Sequence, residues 1–262
     1  MHKNRLIPKL QLKAVQMGSL SRLVIVTTIK FGKSTNIGDP ISVAKIYQAQ
    51  AADELIFVDI EPGTHPKELI YEMIKKSCEE IFMPITVGGG VKTIDDFKTL
   101  LHTGADKVSI NTAAVEYPDL IKSASEKFGA QCVVCSIDYK KNVAGEYEVF
   151  VNGGKTATGL NPVEWAVECE RRGAGEILAT SIDNDGTRQG LNIEVTRAIA
   201  NVLNIPLIAS GGCGYTKHFI EGYIDGHADA VSAGTYFCFK DENPMQTRGQ
   251  IANAGVPIRL HS

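Results

Sequence analysis

Two glycine-rich turns have the composition of anion-binding loops. Gly88–Gly90 and Ser210–Gly212 each follow a short apolar run and precede an amphipathic stretch. Glycines let backbone N–H groups approach an anion closely, and the start of a helix adds partial positive charge. One such turn is weak evidence, and both could be tight turns without a ligand, but two at equivalent places predict two phosphate sites. The residues expected to form these sites are Gly89, Gly90, Asn111 and Thr112 for the first, and Ser210, Gly211, Gly212, Gly234 and Thr235 for the second.

Carboxylates stand at the ends of two other apolar runs. Asp138 ends one run, and Asp183 and Asp185 follow another. A carboxylate in such a position can exchange a proton with a substrate, orient a substrate hydroxyl, or only cap a loop. Thr180 and Gly186 flank Asp185 and are assigned with it to the predicted substrate site. No metal or other cofactor is predicted, because the six histidines are scattered and no cysteine pair has partners at zinc spacing.

The elements that must position these residues alternate along the whole chain. The predicted strands are continuous runs of apolar residues and do not alternate with polar ones, which is typical of parallel strands covered by helices. Eight strand–helix units predict an α/β fold, a (β/α)8 barrel with its site at the C-terminal strand ends. The alternative is a doubly wound open sheet, which usually has fewer strands and one dominant glycine-rich turn. Strands are predicted at Leu6–Leu12, Glu54–Ile60, Ile85–Val87, Lys107–Ile110, Cys132–Asp138, Glu176–Ile182, Pro206–Ser210 and Ala230–Ala233, and helices near 40–52, 66–80, 93–103, 118–128, 161–173, 192–203, 216–226 and 244–254.

The chain also resembles itself at a spacing of about 122 residues, which separates Pro84 from Pro206 and Glu54 from Glu176. Several matches in the same order favour a duplicated half-barrel over chance similarity between two turns. We therefore predict one domain over residues 1–262, with half-barrels at about 1–128 and 129–262. A hairpin insertion is predicted at about 139–159, with Gly153 and Gly154 at its turn.

The composition of the 262 residues is that of a soluble globular protein, with 44% hydrophobic and 22% charged residues. A net charge of −3 argues against a nucleic-acid or membrane-surface partner. No apolar run is long enough to span a bilayer, and the first residues lack the features of a signal peptide. The six cysteines are interpreted as reduced core thiols of a cytoplasmic protein, since Cys132 and Cys135 would face opposite sides of a strand.

Several segments together resemble the cyclase subunit of imidazole glycerol phosphate synthase over nearly the whole chain. They are Thr86–Gly90, Gly104–Thr112, Gly173–Leu178, Asp183–Thr187 and Ala209–Gly212. The resemblance implies a barrel that receives ammonia from a glutaminase partner docked under its N-terminal face. The cyclase uses this ammonia to convert a bis-phosphorylated nucleotide into imidazole glycerol phosphate and an aminoimidazole carboxamide ribotide. The second and fourth segments favour this subunit over the isomerase that precedes it in the same pathway, which also has two half-barrels.

Four charged residues lie at predicted strand starts, namely Arg5, Glu54, Lys107 and Glu176. They are expected to meet at the bottom of the barrel, where they could also be four solvated charges. All four match the family's ring of alternating charge, so the resemblance implies that they form the gate to a central ammonia tunnel.

Two positions depart from the family. Asp138 falls on one of its two catalytic aspartates, but the other, in a motif Ile-Pro-Cys-Leu-Asp, is replaced here by Gln11. A carboxamide does not accept and release a proton near neutral pH. The family's mobile lysine on the strand-one loop is also absent, because the alignment places Thr27 there, with Lys30 or Lys33 as alternatives.

These departures resemble a glycosyl amidation-associated branch of the family, to which Thr28–Phe31 and Ile37–Ile41 are similar. Such proteins pair with a glutaminase paralogue and serve a separate ATP-dependent enzyme, which turns an N-acetyl sugar into an acetamidino sugar for surface polysaccharide or flagellar glycan. One hypothesis is therefore an ammonia-handling subunit without cyclase chemistry. The other is an active cyclase of histidine biosynthesis that tolerates Gln11.

Overall fold

Eight parallel strands close into a barrel in the computed structural model, which describes residues 3–18, 20–239 and 243–259. The strands among these residues are β1 (Arg5–Met17), β2 (Leu20–Thr27), β3 (Thr35–Gly38), β4 (Leu55–Asp59), β5 (Ile85–Gly88), β6 (Lys107–Ile110), β7 (Val133–Lys141), β8 (Tyr147–Val151), β9 (Thr156–Ala157), β10 (Glu176–Ser181), β11 (Leu207–Ser210) and β12 (Ala230–Ala233). Around the barrel the order is β1, β4, β5, β6, β7, β10, β11 and β12, and β12 pairs with β1 to close it. The predicted (β/α)8 barrel is confirmed, and each predicted strand is present.

Helices cover the outside of the barrel. They are α1 (Pro40–Ala49), α2 (Glu68–Glu80), α3 (Ile94–Thr103), α4 (Thr112–Glu116), α5 (Asp119–Phe128), α6 (Pro162–Arg171), α7 (Ile193–Ala200), α8 (Thr216–Ile224), α9 (Thr235–Phe239) and α10 (Pro244–Asn253). The sequence analysis missed α4 and α9, two five-residue helices that follow β6 and β12 at equivalent places of the repeat. Within the described part of the chain, no helix combines the length and apolar character needed to cross a membrane.

The first strand continues beyond the predicted end at Leu12. It runs to Met17 and pairs antiparallel with β2, which pairs antiparallel with β3. The sequence analysis treats this region as a long loop, although Leu23–Thr27 is rich in the β-branched residues that favour strands. Leu23 and Ile25 are buried in the main core, so this extension is anchored on the barrel. Residues 28–34, between β2 and β3, form a loop.

The predicted hairpin insertion is present, but the predicted position of its main turn is wrong. β7 continues to Lys141 and returns as β8 through a turn at residues 142–146. The Asn142 side chain closes this turn by accepting the N–H groups of Ala144 and Glu146. Gly153 and Gly154, both with positive φ, form the next turn, between β8 and β9.

The cysteines only partly match their interpretation as core thiols. Cys135, Cys169 and Cys213 are buried, but Cys78, Cys132 and Cys238 are partly exposed. The reason is that these three lie at the ends of elements or on helix surfaces rather than in strand centres. All six are unpaired thiols.

Successive residues of the barrel strands alternate between two cores, as strand geometry requires. One set packs outward against the helices and includes Leu55, Phe57, Val108 and Ile137. The other points into the lumen and forms an apolar layer of Ile7, Ile56, Val134, Leu178, Ile208 and Ala230. This alternation fixes which residues face the lumen above and below that layer.

Candidate functional site

Four charged side chains form a closed ring at the N-terminal end of the barrel. Arg5 donates to Oε1 of Glu54 at 2.7 Å and to Oε1 of Glu176 at 2.5 Å. Lys107 donates to the second oxygens of the same carboxylates, at 3.0 and 2.9 Å. Each cation bridges both carboxylates, and the side chains are only 5–20% exposed. The structure therefore brings together the four residues that the sequence analysis groups, while their role as a gate stays a prediction.

The four side chains of the ring are each charged, and their two positive and two negative charges sum to zero. Burial alone would raise the pKa of Glu54, but the charges of Arg5 and Lys107 outweigh it and hold that pKa below its usual value. Burial likewise works against the charge of Arg5, and the two carboxylates more than compensate by raising its pKa. Buried ion pairs persist only when their charges are well paired and hydrogen-bonded, as they are here.

A polar layer lies above the apolar layer of the lumen, and Lys9 is a charged member of it. Strand alternation gives this layer Ser109, Thr180, Ser210 and Ser232, all nearly fully buried. Lys9 is 7% exposed, and its Nζ lies 3.5 Å from the Thr180 hydroxyl. The sequence analysis does not single out Lys9. The sequence did contain a signal for it: Lys9 is two residues from both Ile7 and Gln11, so on a strand it faces the same side as they do.

Asp138 lies on β7 at the upper edge of this layer. Asn111 donates its Nδ2 to the Asp138 carboxylate at 3.1 Å. Burial raises the pKa of Asp138 to about 6, and the negative charge of Asp185 adds to the rise, while the positive charge of Lys9 and a hydrogen bond from Thr180 oppose it. A carboxyl group with this pKa can exchange a proton near neutral pH.

Gln11 and Asp185 belong to a second cluster at the mouth of the barrel. The Thr28 hydroxyl lies 3.1 Å from Oε1 of Gln11 and 3.3 Å from Oδ2 of Asp185. Burial raises the pKa of Asp185, against the charge of Lys9 and the Thr28 hydrogen bond. The backbone N–H of Lys30 also donates to the carbonyl of Asp185. The loop after β2 is thus fastened over the Asp185 turn, and Thr28 is a contact that the sequence analysis did not predict.

The two glycine turns are built alike. A Cβ on Gly89 would lie 2.3 Å from the carbonyl oxygen of Asp59, and one on Gly211 would lie 2.6 Å from that of Ser181. Both glycines also have positive φ, at 102° and 90°. Close packing alone therefore requires glycine at both positions. Whether the turns also bind anions stays a prediction.

The residues assigned to the two turns are not equally placed. A small pocket adjoins the second turn, and its lining contains Lys9, Asp185, Gly186, Ser210, Gly211, Gly212, Cys213, Ala233, Gly234 and Thr235. At the first turn, the Asn111 amide is bonded to Asp138, and the Thr112 hydroxyl accepts the N–H of Asn152. Asp183 lies apart from the cluster, because its carboxylate accepts the N–H of Lys141 at the end of β7.

The fold and its polar mouth define a (β/α)8 barrel with a ring of four charged side chains at the strand starts and carboxyl groups of raised pKa at the strand ends. Residues 6–242 match the histidine biosynthesis protein family. The chain is 46% identical over 260 residues to the putative imidazole glycerol phosphate synthase subunit hisF2 of Prochlorococcus marinus (strain MIT 9313), with 99% of both chains covered. The chain therefore belongs to the histidine biosynthesis protein family, as a barrel related throughout its length to that synthase subunit.

Proposed function

We propose that this barrel receives ammonia from a glutaminase partner and passes it on without performing the cyclase reaction itself. The ammonia acceptor in this proposal is a separate ATP-dependent enzyme that amidates an N-acetyl sugar for surface polysaccharide. The observation that carries the proposal is Gln11, a lumen-facing residue of β1 at the position where the family motif has a catalytic aspartate.

The surroundings of Gln11 support this assignment. Its carboxamide oxygen and the Asp185 carboxylate both face the single hydroxyl hydrogen of Thr28, so the two acceptors share that donor. Gln11 therefore holds a place in a hydrogen-bond network, but it cannot take up and return a proton as a carboxylate does. Asp138 alone remains as the acid–base group of the predicted pair.

The charged ring at the opposite end supports the ammonia-receiving half of the proposal. A neutral, buried ring at the strand starts can exclude ions while its side chains part for a small neutral molecule. The glutaminase would dock on this face of the barrel. A small phosphorylated ligand would occupy the mouth at the two glycine turns, where the sequence analysis predicts phosphate sites.

The test is an assay of the purified chain with ammonium at alkaline pH and the family's bis-phosphorylated nucleotide. We expect no appreciable turnover, since one catalytic acid–base group commonly contributes roughly 10²–10⁴-fold in rate. Gln11→Asp should raise turnover, and Gln16→Asp, a change of the same type on the exposed part of β1, should not. Wild-type turnover near that of an ordinary cyclase would overturn the proposal.

The second candidate is an active cyclase of histidine biosynthesis. Similarity to a protein named as a synthase subunit favours it, as does the retained Asp138 with its pKa of about 6. The same assay decides between the two functions. Only an active cyclase would turn over the nucleotide with ammonium when no partner protein is present.

A further inference from the structure

Lys9 crosses the barrel lumen. Its backbone lies on β1, but its Nζ reaches Thr180 on β10, three strands away around the barrel. Its charge also acts on Asp138 of β7, the strand directly opposite β1. The apolar layer that contains Ile7 lies immediately below, and the charged ring lies below that layer. A molecule that moves along the axis from the ring to the mouth must therefore pass the Lys9 side chain.

Lys9 also lines the small pocket at the second glycine turn, together with Asp185. Its side chain therefore acts on the carboxylates of the lumen and also borders the space where an anionic ligand would bind. A lysine is a compact charge on a flexible four-carbon stem, so it can exchange one anionic partner for another by rotation alone. In the present arrangement the stem spans the lumen.

We propose that Lys9 is a second control point of the barrel, which closes the lumen until an anion in the mouth draws its ammonium upward. This inference rests on the proposed ammonia-carrying function and adds a condition to it: nitrogen passes only when the mouth is occupied. The ring at the bottom and Lys9 near the top would then bound a short closed compartment.

Asp138 makes the movement of Lys9 feasible. When the ammonium leaves, Asp138 loses the positive charge that opposes the effect of its burial. Because its pKa is already about 6, the carboxyl can then take up a proton instead of staying charged without the Lys9 ammonium. Anion binding should therefore be accompanied by proton uptake near pH 7.

The first experiment uses the complex of this chain with its glutaminase and the enzyme that consumes the ammonia. The quantity measured is product formed with glutamine divided by product formed with ammonium salt, with and without saturating inorganic phosphate. In the wild type, phosphate should raise this ratio several-fold. In Lys9→Ala the ratio should be high and independent of phosphate. Lys9→Ser, which matches the serines of the same layer, provides the same test if the alanine variant folds poorly.

Lys13→Ala is the matched control, because Lys13 is the next lysine on β1 and pairs with Glu61 outside the lumen. It should retain the wild-type response to phosphate. If the wild type forms product from glutamine but shows no phosphate dependence, or if Lys9→Ala keeps that dependence, the inference is wrong and the proposed function stands. If no nitrogen from glutamine reaches product under any condition, the proposed function itself fails.

The second experiment needs only the isolated chain. Phosphate binding is measured by calorimetry at pH 7 in buffers of different ionisation enthalpy, which reports protons taken up on binding. The wild type should take up a fraction of one proton more than Lys9→Ser; the difference is the quantity of interest, because phosphate itself titrates near pH 7 and contributes in both proteins. Equal proton uptake in the two proteins, or an absence of phosphate binding, would overturn the inference.

Discussion

Removing Lys107 from the four-residue ring should leave the barrel folded but unbalance a neutral buried cluster. Lys107 bonds to Glu54 at 3.0 Å and to Glu176 at 2.9 Å, and its side chain is 20% exposed. In Lys107→Ala both carboxylates would share Arg5 alone, so the cluster would carry one net negative charge. The pKa of Glu54 should then rise, because one of the two cations that lower it is gone.

The expected loss of unfolding free energy is about 3 kcal/mol, the lower end of the range for breaking a buried ion pair, because Lys107 is partly exposed. Urea unfolding of the wild type and Lys107→Ala measures this loss. Adding Glu54→Gln restores neutrality, so the double variant should lose about 1–3 kcal/mol less than the two single variants together. Additive losses would show that the ring does not act as one unit.

The same variant tests the gate. In the reconstituted complex, Lys107→Ala should lower the product formed with glutamine relative to the product formed with ammonium salt. Lys45→Ala is a suitable control, because it removes a lysine that pairs with Glu80 on the outer surface, half exposed. Equal losses with both nitrogen sources, or no loss with either, would refute the reasoning that these residues form a gate.

Two further predictions concern the mouth. Crystals grown in sulfate or phosphate should show an anion at each glycine turn, beside Gly89–Gly90 and beside Gly211–Gly212; if both sites stay empty at saturating phosphate, these glycines serve packing alone. The stability of the wild type should fall by up to about 3 kcal/mol as the pH rises from 3.8 to about 6, because the raised pKa of Asp138 lets the folded state bind a proton that the unfolded chain has released. Asp138→Asn should lack this component of the pH dependence, which unfolding experiments at several pH values would measure; identical pH courses for the two proteins would contradict the assigned pKa.

The barrel could be predicted from sequence because its signals are local and repeated. Each strand is a short apolar run, and the spacing of about 122 residues relates segments of the two halves. The first hairpin was missed for a different reason. Gln11–Met17 alternates between polar and apolar residues with one break, at Ala14–Val15, and five of the eight residues of β2 are apolar. The segment therefore carried a strand signal that the prediction, which ended the first strand at Leu12, did not use. The short helices α4 and α9 are too brief to show a helical period.

The contacts of the site were harder to predict than its members. Asp138 and Asp185 were identified because each ends or follows a predicted apolar run, and Gln11 because it stands at the aspartate position of the family motif Ile-Pro-Cys-Leu-Asp. Their partners come from distant segments, since Thr28 bonds to Asp185 across 157 positions and Lys9 to Thr180 across 171. No spacing rule links residues so far apart. Only the closed sheet, with its register fixed strand by strand, brings them together.

Relative to the family motif, Lys9 and Gln11 both make the charge of the first strand more positive. They are successive lumen-facing positions of β1, where the resembling family motif has an uncharged cysteine and an aspartate. The cysteine-to-lysine difference adds a positive charge, and the aspartate-to-glutamine difference removes a negative one. Asp138, which would otherwise share the mouth with a second catalytic carboxylate, has instead the ammonium of Lys9 acting across the lumen. The two acids of the family motif, on opposite strands, are thus replaced by one acid and a cation whose charge acts on it across the lumen. In the proposed ammonia-passing barrel, an anion in the mouth would compete for this attraction, and this is the response that the proposed control by Lys9 requires.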